Sequence, residues 1–221
     1  VAALFLTNWS VRGPSDRVLE PSFGDGVFLS ALSALGIRSG WIENIDVTGF
    51  EINPEAAATA VECRLINAQS VICDDFLSSR TSEKADVVIG NPPYVRLRAL
   101  PPTQRMTALR SAEVELGRSM DPAGSVWMSF VLHAAAKLAR GGRLALVLPW
   151  EMTYVRYAHP IWTYLASRFG ELSIARVEQR IFPDLNQDVI LLMADQFGGT
   201  TDVVDFKTYR SALDLEPGTF T

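Results

Sequence analysis

Leu144 to Trp150 is an apolar run with no polar side, and it is only as long as a strand. A half-exposed strand alternates; an unbroken run suits a strand buried on both faces of a parallel sheet. Comparable segments recur: Asp16–Glu20, Asp46–Phe50, Ser70–Cys73, Ala85–Ile89 and Arg143–Leu148 read as strands. Helical patterns separate them. Val27–Leu35 is expected to close at Gly36, and Asn53-Pro54 supplies a helix cap and a first-turn proline. Gly124–Arg140 is expected to be helical up to Gly141-Gly142, and Met152–Phe169 to be a further helix. Segments at about 171–179 and 188–195 read as an antiparallel hairpin, whereas 95–121 has no clear period and is expected to be a loop with a helical piece. The expected fold is α/β, a seven-stranded, mostly parallel sheet with helices on both faces and a C-terminal hairpin. Residues 1–197 form its one domain, and 198–221 read as an exit segment toward a missing C-terminal region.

Composition narrows the class. The chain has 221 residues, 48% hydrophobic, and no apolar run approaching the roughly 18–20 residues of a membrane span. The start, Val1-Ala-Ala-Leu-Phe-Leu6, lacks the basic residues of a signal peptide. It also lacks an initiator Met, so the chain is read as beginning inside a longer protein. Cys63 and Cys73 have no metal-type spacing and are expected to be reduced cytoplasmic thiols. His133 and His159 have no partner spacing, so neither a metal nor a histidine base is assigned. A net charge of −5 argues against binding nucleic acid through bulk charge alone.

The chemistry-bearing residues all fall at expected strand ends, where parallel sheets bind ligands. In Glu20-Pro21-Ser22-Phe23-Gly24-Asp25-Gly26, two glycines permit a tight turn and a close backbone approach to a ligand. The spacing is not a dinucleotide fingerprint, because the third glycine is absent. Glu51, one strand later, is placed to accept both hydroxyls of a ribose; by itself it would also suit a helix start. Asp75 can accept from an adenine amine, and Phe76 can cover the ring. Asp74 competes for that role, but Asp75 directly precedes the aromatic.

Asn91-Pro92-Pro93-Tyr94 is the most informative motif. Two prolines fix the backbone and remove two N–H donors. The Asn91 side-chain oxygen and the Pro92 carbonyl then offer a pair of acceptors to an sp² NH₂. Drawing both hydrogens toward oxygen exposes the nitrogen lone pair to an electrophilic methyl. Tyr94 can stack on the target ring.

Together these motifs resemble the N6-adenine DNA methyltransferases of the gamma class, in which the cofactor motif precedes Asn-Pro-Pro-Tyr. The resemblance runs from about Asp16 to Phe197 and takes in Gly141-Gly142, Leu148-Pro149 and Ile181-Phe182-Pro183. It implies a Rossmann-like class I fold with S-adenosylmethionine as methyl donor. It implies that Glu20, Pro21, Phe23, Gly24 and Gly26 hold the methionine part, and that Glu51, with Ile52 beside it, holds the ribose. Asp75 and Phe76 would hold the cofactor adenine, and Asn91, Pro92 and Tyr94 would grip the target adenine, with Phe182 on its other side. The implied partner is double-stranded DNA with a flipped base, read by a recognition domain or subunit not in this chain.

Among Arg96, Arg98, Arg105, Arg110 and Arg118, which follow the catalytic motif, phosphate contacts are expected. Asn-Pro-Pro-Tyr also occurs in methyltransferases of glutamine side chains and RNA bases, which need the same two acceptors. The Glu20-Pro21 turn looks like the DNA group. A scaffold that binds without methylating is the non-enzymatic alternative, and no nuclease motif is apparent.

Overall fold

The computed structural model describes residues 1–41, 45–178 and 188–215. Its strands are β1 (Arg17–Glu20), β2 (Asp46–Phe50), β3 (Val71–Ile72), β4 (Ala85–Gly90), β5 (Leu138–Pro149), β6 (Phe169–Val177), β7 (Val189–Phe197) and β8 (Asp205–Tyr209). They form one eight-stranded sheet in the order β3-β2-β1-β4-β5-β7-β6-β8. The half from β3 to β5 is parallel, and β7 runs antiparallel between β5 and β6. This is the expected architecture with one addition. β8 lies within the stretch read as an exit segment and pairs parallel with β6 from Ser173↔Asp205 to Val177↔Tyr209. Its residues are mostly exposed, so it carries no apolar run to announce a strand.

The helices are α1 (Ala2–Ser10), α2 (Val27–Ser39), α3 (Pro54–Glu62), α4 (Pro102–Leu116), α5 (Val126–Ala136) and α6 (His159–Ala166). α1 and α2 cover one face, packing Phe5, Leu6, Phe28 and Leu32 against Val87, Ala145 and Leu191. α4, α5 and α6 cover the other, where Trp127, Leu132 and Leu165 meet Val88, Leu144 and Leu192. α2 runs past Gly36 and closes at Gly40, whose φ of 71° lies in the left-handed region. Gly36 is buried inside the helix instead. The predicted helix 152–169 is shorter, with 3₁₀ turns over Trp150–Thr153 and Arg156–Ala158 before α6. α4 replaces most of the expected loop at 95–121. It buries only Ala108, Ser111 and Ala112, small residues that leave no hydrophobic stripe to read.

β1 is central to the site. It pairs with β2 on one side and β4 on the other, both parallel, so the chain leaves β1 and β4 at a reversal of strand order. A crevice forms there.

Away from that crevice, Phe169 is fully buried, with its ring centroid 5.3 Å from that of Phe197. Phe169→Ala is expected to lower stability by about 3–5 kcal/mol, measured by denaturant unfolding. On α5, burial pushes His133 down to about 4, and Lys137 adds to the shift. The unfolded chain therefore binds the extra proton first, so stability should fall as pH drops from 6.5 toward 4. A His133→Gln variant should lose that part of the pH dependence in the same unfolding assay.

Candidate functional site

The carboxyl ends of β1, β2 and β4 and the turn after β3 open on one cleft of about 400 Å³. Pro21, Ser22 and Gly24 line it from the first turn, Glu51 and Ile52 from the second. Asp74, Asp75 and Phe76 follow from the third, and Asn91 and Pro93 from the turn after β4. Two larger hollows, of about 460 and 540 Å³, contain none of these residues, so chemistry and not size selects the cleft.

Glu51 is fixed by backbone. Its Oε2 accepts from the Gly24 N–H at 2.8 Å and its Oε1 from the Asn53 N–H at 2.8 Å. Each oxygen keeps a lone pair, which suits two neighbouring hydroxyls. Asn53 caps α3 through its side chain, accepting from Glu55 N–H at 2.9 Å, so the helix start and the carboxylate are locked together. The glycine turn has left-handed backbone at Gly24 and Gly26, with φ of 51° and 72°. Gly26 has a second reason to be glycine: a Cβ there would sit 2.7 Å from Leu65 Cδ1.

Phe23 and Gly26, expected at the cofactor, do not line the cleft. Phe23 is a core residue whose ring lies over Gly49, and its N–H donates to the Phe50 carbonyl at 3.1 Å. Both residues shape the turn from behind. Glu20 is likewise buried beneath the turn and not on the cleft wall. Burial first, and then repulsion from Glu51, raise its carboxyl well above the ordinary carboxylate range. Its Oε2 has no hydrogen-bond partner among the described residues. Buried polar atoms in folded proteins are nearly all hydrogen-bonded, so this oxygen is an exception that needs a physical cause.

Asp75 and Asp74 both reach the cleft. Asp75 accepts from Leu77 N–H at 3.0 Å, and Asp74 from Asp75 N–H at 2.7 Å. Burial is the main cause that raises the Asp75 carboxyl, partly offset by the Leu77 bond. Phe76 borders the cleft but is held in the core, its centroid 5.3 Å from Phe50, 5.5 Å from Phe130 and 4.8 Å from His133.

Asn91 joins these acidic strand ends across the same cleft. Pro92 is buried and faces a small inner hollow with Ser22, Gly90 and Phe130. The two motifs meet at Gly90: a Cβ there would make ordinary van der Waals contact, 3.4 Å from Pro21 and 3.7 Å from Glu20. Tyr94 is half-buried and packs against both cores. Its hydroxyl reaches Asn91 Oδ1 at 2.6 Å and the Val147 carbonyl at 3.0 Å. Burial raises the Tyr94 hydroxyl strongly, so it stays protonated. Phe182 lies outside the described residues.

Sequence reasoning did not find Val95, Leu100, Val126 and Phe130, which complete the cleft's apolar wall, or the polar Gln104 among them. They come from α4, α5 and the segment before them, so only packing places them. Arg96 is not a free cation. It pairs with Glu151 at 2.8 Å, bonds the Tyr157 hydroxyl and lies 5.5 Å over that ring. These bonds hold the segment after Asn91–Tyr94 against the end of β5.

The fold and cleft have counterparts among known proteins. A structure of the DNA-bound restriction-modification enzyme LlaBIII superposes with a TM-score of 0.72 at 11% identity, covering 94% of this chain and 20% of that one. A class I S-adenosylmethionine-dependent methyltransferase structure from Listeria monocytogenes gives 0.71 at 17%, covering 95% and 63%. Among sequence relatives, the Type II methyltransferase M.AccI of Acinetobacter calcoaceticus is 26% identical over 90% of this chain and 35% of its own length. A tRNA1(Val) (adenine(37)-N6)-methyltransferase of Actinobacillus pleuropneumoniae is 30% identical over 61% of this chain and 52% of its own. The chain spans between a third and a half of the first curated relatives. The class I fold and these relatives make S-adenosylmethionine the methyl donor. Residues 39–181 match the Eco57I restriction-modification methylase family, and the chain belongs to it.

Proposed function

We propose that this chain transfers a methyl group from S-adenosylmethionine to the N6 amine of adenine in DNA, with the target base flipped out of the duplex. One observation carries the reading: Asn91 lines the same cleft as Glu51 and Asp75, which supports an amide acceptor working beside carboxylates suited to a ribose and an adenine. Names of relatives support it from two sides, Type II methyltransferases on one and an adenine-N6 methyltransferase on the other.

The residues present fit the donor. Glu51 offers two backbone-oriented oxygens to ribose hydroxyls, and Asp75 an oxygen to an adenine amine. Glu20, buried beneath the turn, would attract the positive charge at the methionine end from behind the cleft wall. S-adenosylmethionine supplies an electrophilic methyl on a sulfonium. Asn91 Oδ1 and the Pro92 carbonyl accept from the target NH₂ and let its lone pair face that methyl, so no strong base is required. The proton leaves after charge has developed on nitrogen. Duplex DNA hides this amine in the base stack, which is why flipping is part of the proposal, at a cost of a few kcal/mol. The partner is double-stranded DNA, with the sequence read by a region or subunit outside this chain, in the cytoplasm.

An RNA adenine is the second reading, favoured by the tRNA methyltransferase relatives. Methyl incorporation into unmethylated DNA and into unmodified tRNA, side by side, separates the two. Incorporation confined to tRNA overturns the DNA assignment.

In that assay Asn91→Ala should slow methyl transfer by about 100-fold or more, the scale for removing one preorganised polar group. Wild-type rates in this variant would refute the assignment of Asn91. Glu51→Ala should weaken cofactor binding by about ten-fold or more, read by calorimetry. Cofactor affinity should also rise with pH as Glu20 loses its proton, because the ionised carboxylate is the form that attracts a cation. Glu20→Gln should flatten that profile.

A further inference from the structure

Tyr94 has one hydroxyl proton and two acceptors within bonding distance, Asn91 Oδ1 at 2.6 Å and the Val147 carbonyl at 3.0 Å. One proton cannot fully serve both. The hydroxyl is buried and its proton is held firmly, so ionisation does not resolve the conflict. A carboxamide, however, has two ends of nearly equal shape, and its orientation is set by the bonds each end makes. Turning the Asn91 amide resolves the conflict at the hydroxyl. Asn91 Nδ2–H then donates to Tyr94 Oη, and Tyr94 O–H donates to the Val147 carbonyl.

The turn also decides chemistry. With Oδ1 engaged by Tyr94, the other end of the amide is an NH₂, which repels an incoming amine. With Nδ2 engaged, Oδ1 is free for the amine's hydrogens. Building on the adenine reading above, we propose that Tyr94 is a positioning residue whose hydroxyl selects the amine-accepting orientation of Asn91 through a relay ending on Val147. The role belongs to the hydroxyl and is separate from any stacking by the ring. Val147 is suited to anchor it: the residue is fully buried within β5, paired with Leu191 of β7, so its carbonyl is held by the sheet.

Tyr94→Phe keeps the ring and deletes the relay. The measurement is made on the protein as the cell produces it, with DNA carrying the site mapped from its methylated adenines. The expected result is a fall in kcat of about ten-fold, the scale of one hydrogen bond. KM for DNA and for S-adenosylmethionine should stay within about two-fold, as should the fluorescence of 2-aminopurine at the target position, which reports flipping. An unchanged kcat, or a loss that tracks the fluorescence, overturns the relay. If Asn91→Ala also retains full activity, it is the adenine reading that falls. Should Tyr94→Phe not fold, a crystal structure of the wild-type protein with DNA and a non-reactive cofactor analogue decides. Asn91 Nδ2 within bonding distance of Tyr94 Oη, with Oδ1 on the target amine, supports the relay. A Tyr94 hydroxyl removed from the Asn91 amide overturns it.

Discussion

Parallel pairing of β1 with both β2 and β4 is the constraint on which the site depends. Strands that all run one way deliver their carboxyl ends to one edge. Because β1 starts the series, the next strands build outward on one side and β4 returns on the other. The turns after β1 and β4 therefore diverge and leave a crevice between them. Glu51, Asp75 and Asn91, 40 residues apart from first to last, reach this crevice because each follows its own strand. The apolar runs in β4 and β5 secure that edge: Val87, Val88 and Ile89, with Ala145, Val147 and Leu148, are fully buried between helices on both faces.

Close backbone approach is the second requirement. Phe23 fills the space that a side chain at Gly49 would need, and Pro21 approaches Gly90. The glycine turn thereby rests directly on its two neighbouring strands. Glu51 completes the arrangement by accepting from Gly24, so the turn and this carboxylate are one hydrogen-bonded unit. The cost falls on Glu20. It is buried at the end of β1, near a second carboxylate, with an unpaired oxygen. Such a group opposes stability unless a cation or donor arrives.

The segment after Tyr94 shows that a basic stretch is not automatically a set of unpaired cations. Arg96 looked available for phosphate because the sequence places it beside the catalytic motif in a basic stretch. In the fold, Glu151 arrives from the end of β5 and takes it, with Tyr157 and the Trp127 indole N–H (3.4 Å from Glu151) closing the network. Those bonds tie the Asn91–Tyr94 turn to β5, the strand that also supplies the Val147 carbonyl. Arginine count in a window therefore says little until the partners brought by distant strands are known.

Sequence by itself determined the order of the strands through β7, the parallel core and the identity of the polar residues at the strand ends. These follow from local rules: buried strands show as short apolar runs, glycine and Asn-Pro mark turns, and side chains at strand ends need no distant partner to be recognised. Tertiary structure alone decided which of them face the ligand. Phe23 and Gly26 lie behind the turn, Glu20 lies beneath it, and Phe130 and Gln104 enter from helices that no motif links to the cleft. It also decided that α4 is a helix packed through alanines and that β8 adds to an edge. The physical reason is the same in each case. Small residues at a helix contact and polar residues on an edge strand carry no periodic signal, and which way a side chain faces depends on neighbours far along the chain.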